Sequence, residues 1–386
     1  METELYKQNP WWEGKSEIES IPREEHLTRL MQNLESREIL FLMGLRRVGK
    51  TTIMKQFVAR LLNKKIAPDD ILYVSLDSFN LSEFSIHEIV KKYREIHKKS
   101  VEKRVYLFFD EVVEKENFEQ ELKSLYDSEN VKMICSSSKA TLMMDKRAYL
   151  TGRTKTIEVM PLTFQEFLIF KKVEIKKADR AILESYFKDY LKTGGIPYYV
   201  LTEDREYLNE LVQNVIYKDI IARYNITNEK VIKELFNLLC ERVGKITSYN
   251  KLANILGISV DSVKRYVRYF EKSYLFYVVD RYSKSLNERI TSPKKIYIGD
   301  VGIKNLITGY RDLGASYENL VFLKIKNKDP YYYRKNGIEI DFIGEDFLIE
   351  AKYDRDMDEK HKIVFDGIRK RNKILADGVD FFARIF

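Results

Sequence analysis

Cysteine is almost missing from this chain. Cys135 and Cys240 are the two in 386 residues, far apart and without C-x-x-C spacing, which argues against a disulfide framework and against a thiolate-bound structural zinc. Histidine is nearly as scarce, with four, so a His-rich metal centre has few candidates. No apolar run approaches the ~20 residues that a membrane-crossing helix needs. The opening METELYKQNPWWEGK lacks the apolar core of a secretory signal. These absences lead us to expect a soluble, cytoplasmic protein with no membrane partner.

What is present can fold. Hydrophobic residues make up 44% and aromatic residues 13%, enough for real cores rather than a disordered tail, and the length suits about two to three domains. The formal charge is +8, with 33% of residues charged. That balance is compatible with a phosphate-bearing partner, and a solvated basic surface would give the same number.

Residues 39–43, ILFLM, suit a buried strand and run directly into GLRRVGKTT at 44–52 and then a helical pattern, IMKQFVARLL. This is G-x-x-x-x-G-K-[ST] in a strand–loop–helix setting, where backbone amides at a helix start face phosphate oxygens. Gly44 and Gly49 permit the tight loop. Lys50 is spaced to reach the β- and γ-phosphates, and the Thr51 hydroxyl to ligate Mg²⁺. The candidate nucleotide contacts are Gly44, Arg47, Gly49, Lys50, Thr51 and Thr52, with ATP and Mg²⁺ as the cofactors they imply.

A second apolar strand, VYLFFDE at 105–111, ends in two acids. A central parallel strand is apolar on both faces, so acids at its carboxyl end stand at the ligand edge of the sheet. Asp110 would hold the magnesium shell, and Glu111 would orient or deprotonate the attacking water. VKMICSSS at 131–138 is a further strand ending in hydroxyls. By register Ser137 is expected to sense the γ-phosphate, with Ser136 and Ser138 as alternatives and a plain serine turn as the bland reading. ILYVSLD at 71–77 adds a strand, and 84–99 a basic helix. This alternation predicts an α/β fold, a doubly wound P-loop sheet over residues 1–160.

NPWW, GLRRVGKTT, FFDE and LTGRTKTIEVMPLTFQEFL at 150–168 together resemble the archaeal-type AAA+ superfamily of ATPases. Chains of that family carry an RRxGKT loop and a GR…PLxFxEF segment. GGIP at 194–197 is similar to part of the family's small helical lid. The resemblance implies ATP hydrolysis, an arginine finger or sensor at Arg153 with Arg147 as second candidate, and Gly195 and Pro197 beside the adenine. By its residues alone, Arg153 is an arginine after a glycine, and GGIP a turn.

From 161 to 240 apolar residues recur at three- and four-residue spacing, as in FQEFLIFKK and YLNELVQNVIYKDII, which predicts a helical lid. The next stretch contains SYNKLANILG and SVDSVKRYVRYFEKS, two helices with Gly257 at the turn between them. LFYVVDRYS can supply wing strands, giving a winged helix-turn-helix over 241–285. Ser259, Asp261, Ser262, Lys264, Arg265 and Arg268 would face a DNA groove or its phosphates. The same helix would equally serve as packing against a nucleotide domain, and Asp261 repels phosphate.

The final segment, 286–386, carries Glu318 on a helix expected at 315–326, then the strand IEIDFI, a Gly-Glu-Asp turn and the strand FLIEAKY. Residues two apart in a strand share a face, so Glu350 points with Lys352, and Asp341 can face the same way. Carboxylates beside a lysine suit Mg²⁺ or Mn²⁺ and phosphodiester chemistry. The D-x₈-E-x-K arrangement behind a helical glutamate resembles the PD-(D/E)XK nuclease superfamily, a restriction-endonuclease-like α/β fold that also closes ATPases of the family named above. The resemblance implies that Asp341 and Glu350 bind metal, that Glu318 supports the metal shell and that Lys352 assists catalysis. Such domains also persist as binding modules.

The whole reads as an ATPase acting on DNA through a winged helix and a nuclease-like domain. One rival is a signalling or scaffolding switch whose last domain docks a protein partner or a second copy. Another is a DNA-binding regulator that uses the winged helix alone.

Overall fold

In the computed structural model, residues 1–15, 20–138, 147–174, 179–354 and 356–383 are described. They fall into two compact units, Met1–Met160 and Pro161–Phe386. The stretches expected as lid, winged helix and nuclease-like domain all lie in the second. Among the described residues no helix is long and apolar enough to cross a membrane.

The first unit is built on strands β1 (Ile39–Met43), β2 (Ile71–Ser75), β3 (Val105–Asp110), β4 (Val131–Ser137) and β5 (Thr154–Glu158). Their order is β2-β3-β4-β1-β5, and every neighbouring pair is parallel. All five residues of β1 are buried, as expected of a central strand covered on both faces. β4 lies between β1 and β3. The loop leaving β1 and the acids ending β3 therefore flank the hydroxyl-bearing end of β4.

The edge strand β2 is lined by side chains from the N-terminal segment. Asn9 accepts from the Tyr73 amide at 2.6 Å and donates to the Tyr73 carbonyl at 2.8 Å. Gln8 accepts from the Ser75 amide at 2.7 Å, and the indoles of Trp11 and Trp12 both donate to the Ile71 carbonyl. This is what the asparagine and paired tryptophans of NPWW do: they satisfy backbone groups that a sheet edge leaves unpaired.

The second unit opens with helices, among them Phe164–Phe170, Arg180–Thr193 and Glu229–Glu241. Phe164, Phe167, Phe187 and Tyr190 form an aromatic cluster where the first two of these helices meet. In YLNELVQNVIYKDII, expected as one α-helix, the turns widen to π-helical geometry over Val215–Ile221.

Next come β6 (Ile246–Thr247), the helices Tyr249–Leu256 and Val260–Lys272, β7 (Phe276–Val279) and β8 (Lys294–Ile298). Gly257 ends the first of these helices in left-handed geometry, φ 64°, the role glycine takes at a C-terminal cap. The three strands form one antiparallel sheet in the order β6-β8-β7. The boundary expected at 285 thus runs through a sheet, because β8 returns after the short helix Leu286–Thr291.

A second sheet has the order β12-β11-β10-β9, with β9 at Tyr331–Lys335, β10 at Ile338–Ile343, β11 at Phe347–Lys352 and β12 at Asn372–Asp377. β10 and β11 form the expected hairpin. Ile340, Ile343 and Leu348 pack with Phe365 of the helix Glu359–Gly367.

Candidate functional site

At the carboxyl end of β1 the backbone leaves no room for a side chain at position 44. A Cβ on Gly44 would collide with the Val159 carbonyl, because the chain leaving β5 runs alongside and its Val159 amide bonds Met43 O at 2.6 Å. Arg47, φ 63°, and Gly49, φ 96°, are both left-handed and turn the loop back into the helix Lys50–Asn63. Lys50 is buried and lies across the loop, donating to the carbonyls of Gly44 and Leu45 at 3.0 Å each. Thr51 and Thr52 follow on the first turn and are exposed. The loop thus gathers a helix amino terminus and a cation, the two elements that bind phosphate.

Asp110 is buried and receives three hydroxyls. Thr51 donates to Oδ2 at 2.6 Å, Tyr73 to Oδ2 at 2.8 Å, and Ser136 to Oδ1. Burial, with the Asp110 charge beside it, raises the Tyr73 phenol well above its usual range, so it remains a donor. Glu111 sits in left-handed geometry, φ 50°, uncommon for a residue with a long side chain. Its amide donates to Ser136 Oγ at 2.9 Å, and its carboxylate accepts from the amide and hydroxyl of Ser138, each at 3.1 Å.

The serine row resolves differently from the expectation at Ser137. β3 and β4 pair Phe109 with Cys135, so Asp110 and Ser136 are neighbours on one face and Ser137 projects from the other. Ser136 and Ser138 engage the acids; Ser137 lies buried in register with Met43.

Arg153 requires a correction. Its carbonyl accepts from the Ile39 amide at 2.8 Å, which places it at the start of β5 beside the start of β1. The phosphate loop is at the other end of the sheet, roughly 15 Å of strand away. The guanidinium pairs with Asp127 at 3.4 Å and lies over Tyr126. It cannot act as a finger on its own subunit's loop from there. The side chain of Arg147, the second candidate, lies outside the described residues.

In the second unit, the GGIP turn has a structural reason for its glycines. A Cβ on Gly194 would strike the Asp300 carboxylate, and one on Gly195 the Leu162 carbonyl. Asp300 is buried and accepts from the amides of Gly195 (2.6 Å), Gly302 (2.9 Å) and Ile303 (3.3 Å). Pro197 begins the helix Pro197–Thr202, a position where its missing N–H costs nothing.

The four residues expected at the nuclease-like centre come together. Asp341 N donates to Glu350 at 3.2 Å, Ala351 N donates to Asp341 at 2.9 Å, and Lys352 pairs with Glu350 at 2.6 Å. Glu318, from the helix Leu313–Ile325, joins them through a residue that sequence reasoning missed. Lys295 of β8 is fully buried, and its ammonium pairs with Glu318 at 2.7 Å, Glu339 at 2.5 Å and Asp341 at 2.9 Å. Tyr297, two residues on and on the same face, donates to Glu318 at 2.6 Å. Burial works against the Lys295 charge, but the Asp341 and Glu318 carboxylates hold it well above its ordinary range. Burial and the Asp341 charge push both Glu318 and Glu350 above the usual carboxylate range. The one sequence signal for Lys295 was its place as the second of two lysines that open the strand KKIYI.

Residues 36–168 match the AAA domain family, and residues 184–313 match a domain of unknown function, DUF8612. The uncharacterized protein MJ1544 of Methanocaldococcus jannaschii is 30% identical over 350 residues, covering 84% of this chain and 77% of that one. An uncharacterized protein of Haemophilus influenzae is 25% identical over 339 residues, 84% of either chain. Among solved structures, the Walker-type ATPase PABY2304 of Pyrococcus abyssi covers 75% of this chain and 96% of its own at 14% identity, with a TM-score of 0.48.

Proposed function

We propose that this chain, which belongs to the same family as protein MJ1544 of M. jannaschii and carries an AAA domain at 36–168, is an AAA-type ATPase whose ATP turnover controls a DNA-contacting helix-turn-helix. The observation that carries the ATPase reading is the 2.6 Å contact between Thr51 Oγ1 and Asp110 Oδ2, which joins the phosphate-loop helix to the acid strand. Both are hard oxygens of the kind that hold Mg²⁺, and the residues present fit that ion. Held by Thr51 and Asp110, Mg²⁺ would supply charge neutralisation to the bound phosphates.

The chain's own groups divide the remaining work. Loop amides between Gly44 and Thr52 receive the phosphates, and Lys50 exchanges its two loop carbonyls for phosphate oxygens. Glu111, fixed at its amide by Ser136 and at its carboxylate by Ser138, accepts the proton of the attacking water. Ser136 keeps both acids aligned. Lys50→Ala tests the assignment: we expect ATP turnover to be lost with the thermal unfolding curve retained, and turnover at the parental rate would refute it.

The DNA part rests on the helix Val260–Lys272. Val263, Val267 and Phe270 are buried, while Asp261, Lys264, Arg265 and Arg268 are exposed on the other side. An exposed face with three cations at the second helix of a helix-turn-helix suits phosphate and groove contacts. Binding should weaken steeply with salt. The signalling or scaffolding reading draws support from Lys295, whose place among the carboxylates suits a docking module better than a cleaving one. An intact ATPase with no affinity for DNA at low salt would select it.

A further inference from the structure

We infer that Lys295 is a built-in counter-ion that takes the divalent-cation position of the C-terminal acidic cluster, so that the nuclease-like sheet is a metal-free structural hub. The stoichiometry is matched: an ammonium has three N–H donors, and Lys295 meets three carboxylates from two elements, Glu318 on its helix and Glu339 and Asp341 on β10. Both oxygens of Glu350 and the second oxygen of Asp341 are also engaged. Asp341 Oδ2 accepts from the Ala351 amide, Glu350 Oε2 from the Asp341 amide, and Glu350 Oε1 from Lys352. Glu318 Oε1 accepts from Tyr297 as well as from Lys295.

A divalent ion here would need several of these oxygens at roughly 2.0–2.6 Å, in the volume the ammonium fills. It would sit against the buried positive charge of Lys295. The backbone of Lys295 in β8 is paired to both β6 and β7, which fixes the point from which its side chain projects. Among the described residues no group of three or more His, Cys, Asp or Glu is arranged to hold a metal ion. The residues present therefore do not fit Mg²⁺ or Mn²⁺.

The hub has a positive role. β8 belongs to the helix-turn-helix sheet, and β10 and Glu318 belong to the terminal α/β module. Lys295 ties them through buried charge.

The deciding experiment is Mn²⁺ titration of the full-length protein without nucleotide, read by the electron paramagnetic resonance signal of free Mn²⁺, beside Asp341→Asn. The expected result is no Asp341-dependent binding up to about 1 mM, the weak end of protein sites for such cations. Binding that disappears in Asp341→Asn overturns the inference. In a second arm, Lys295→Gln removes the charge and retains a polar group. A folded Lys295→Gln protein is expected to gain a Mn²⁺ site with Kd below about 0.1 mM, tenfold under the limit at which wild type shows none, lost again on adding Asp341→Asn; a folded variant with no gain also overturns it. Because ATP is absent, neither arm depends on the ATPase assignment.

Discussion

Replacing Ser136 by alanine removes one oxygen that serves both acids of the nucleotide site. Ser136 Oγ donates to Asp110 and accepts from the Glu111 amide at 2.9 Å. Without it Asp110 falls from three hydroxyl donors to two, and a backbone N–H loses its partner. A hydrogen bond to a charged group contributes about 1.5–3 kcal/mol, and a stranded buried donor costs about 1–3 kcal/mol. If about 1.5–3 kcal/mol of this is realised only with both acids aligned on the phosphates, kcat falls roughly 10- to 150-fold. KM for ATP should change little, since the loop that binds phosphate is untouched. Phosphate release at saturating ATP measures the effect, with a thermal melt to separate it from unfolding. Ser137→Ala, altering the opposite face of the same strand, is the control and should cost less than about threefold. A Ser136→Ala enzyme within twofold of the parental kcat, or a larger loss in Ser137→Ala, would refute the reasoning.

Two further outcomes follow from positions already described. Arg153→Ala should change stability by no more than about 1 kcal/mol, as its pair with Asp127 is at the surface, and should leave ATP turnover of dilute protein unaltered; a loss that appears only as protein concentration rises would show that Arg153 reaches a neighbouring subunit. Glu271 gives a pH dependence. Burial lifts its carboxyl from 4.5 to about 7, against the pull of the Val278 backbone and Arg268. Between those values the folded chain holds a proton that the unfolded chain has released, so the contribution is complete below pH 4.5 and is lost as pH rises through 7. Glu271→Gln should therefore stabilise the protein by roughly 1–3 kcal/mol at pH 8 and by little at pH 4.5. Urea unfolding at the two pH values checks this, and equal shifts at both would contradict it.

The parts of the site legible in the sequence are those whose chemistry is contiguous. Gly44 through Thr52 form one loop, and Asp110 and Glu111 end one strand, so spacing alone places their groups. Ser136 was passed over for Ser137 because the choice turns on which face of β4 meets Asp110, and that depends on the pairing of β3 with β4. The position of Arg153 depends on the direction of β5: the arginine precedes the strand, and in a parallel sheet this puts it at the end away from the loop. Lys295 precedes Glu318 by 23 residues and Asp341 by 46, and no local pattern announces that two later chain segments will close around it. The expected boundary at 285 falls between paired strands for a related reason. A short helix interrupts the hairpin of β7 and β8, and the second strand then looks like the beginning of something new.

The amides and indoles along β2 have a consequence for assembly. A parallel sheet has two rims at which a further strand, from another copy or another protein, could add. On the β2 side the rim is occupied by Asn9, Gln8, Trp11 and Trp12, so a recruited strand would first have to displace the chain's own first residues. Removing the first dozen residues would therefore expose the backbone groups of β2 to pairing with a further strand.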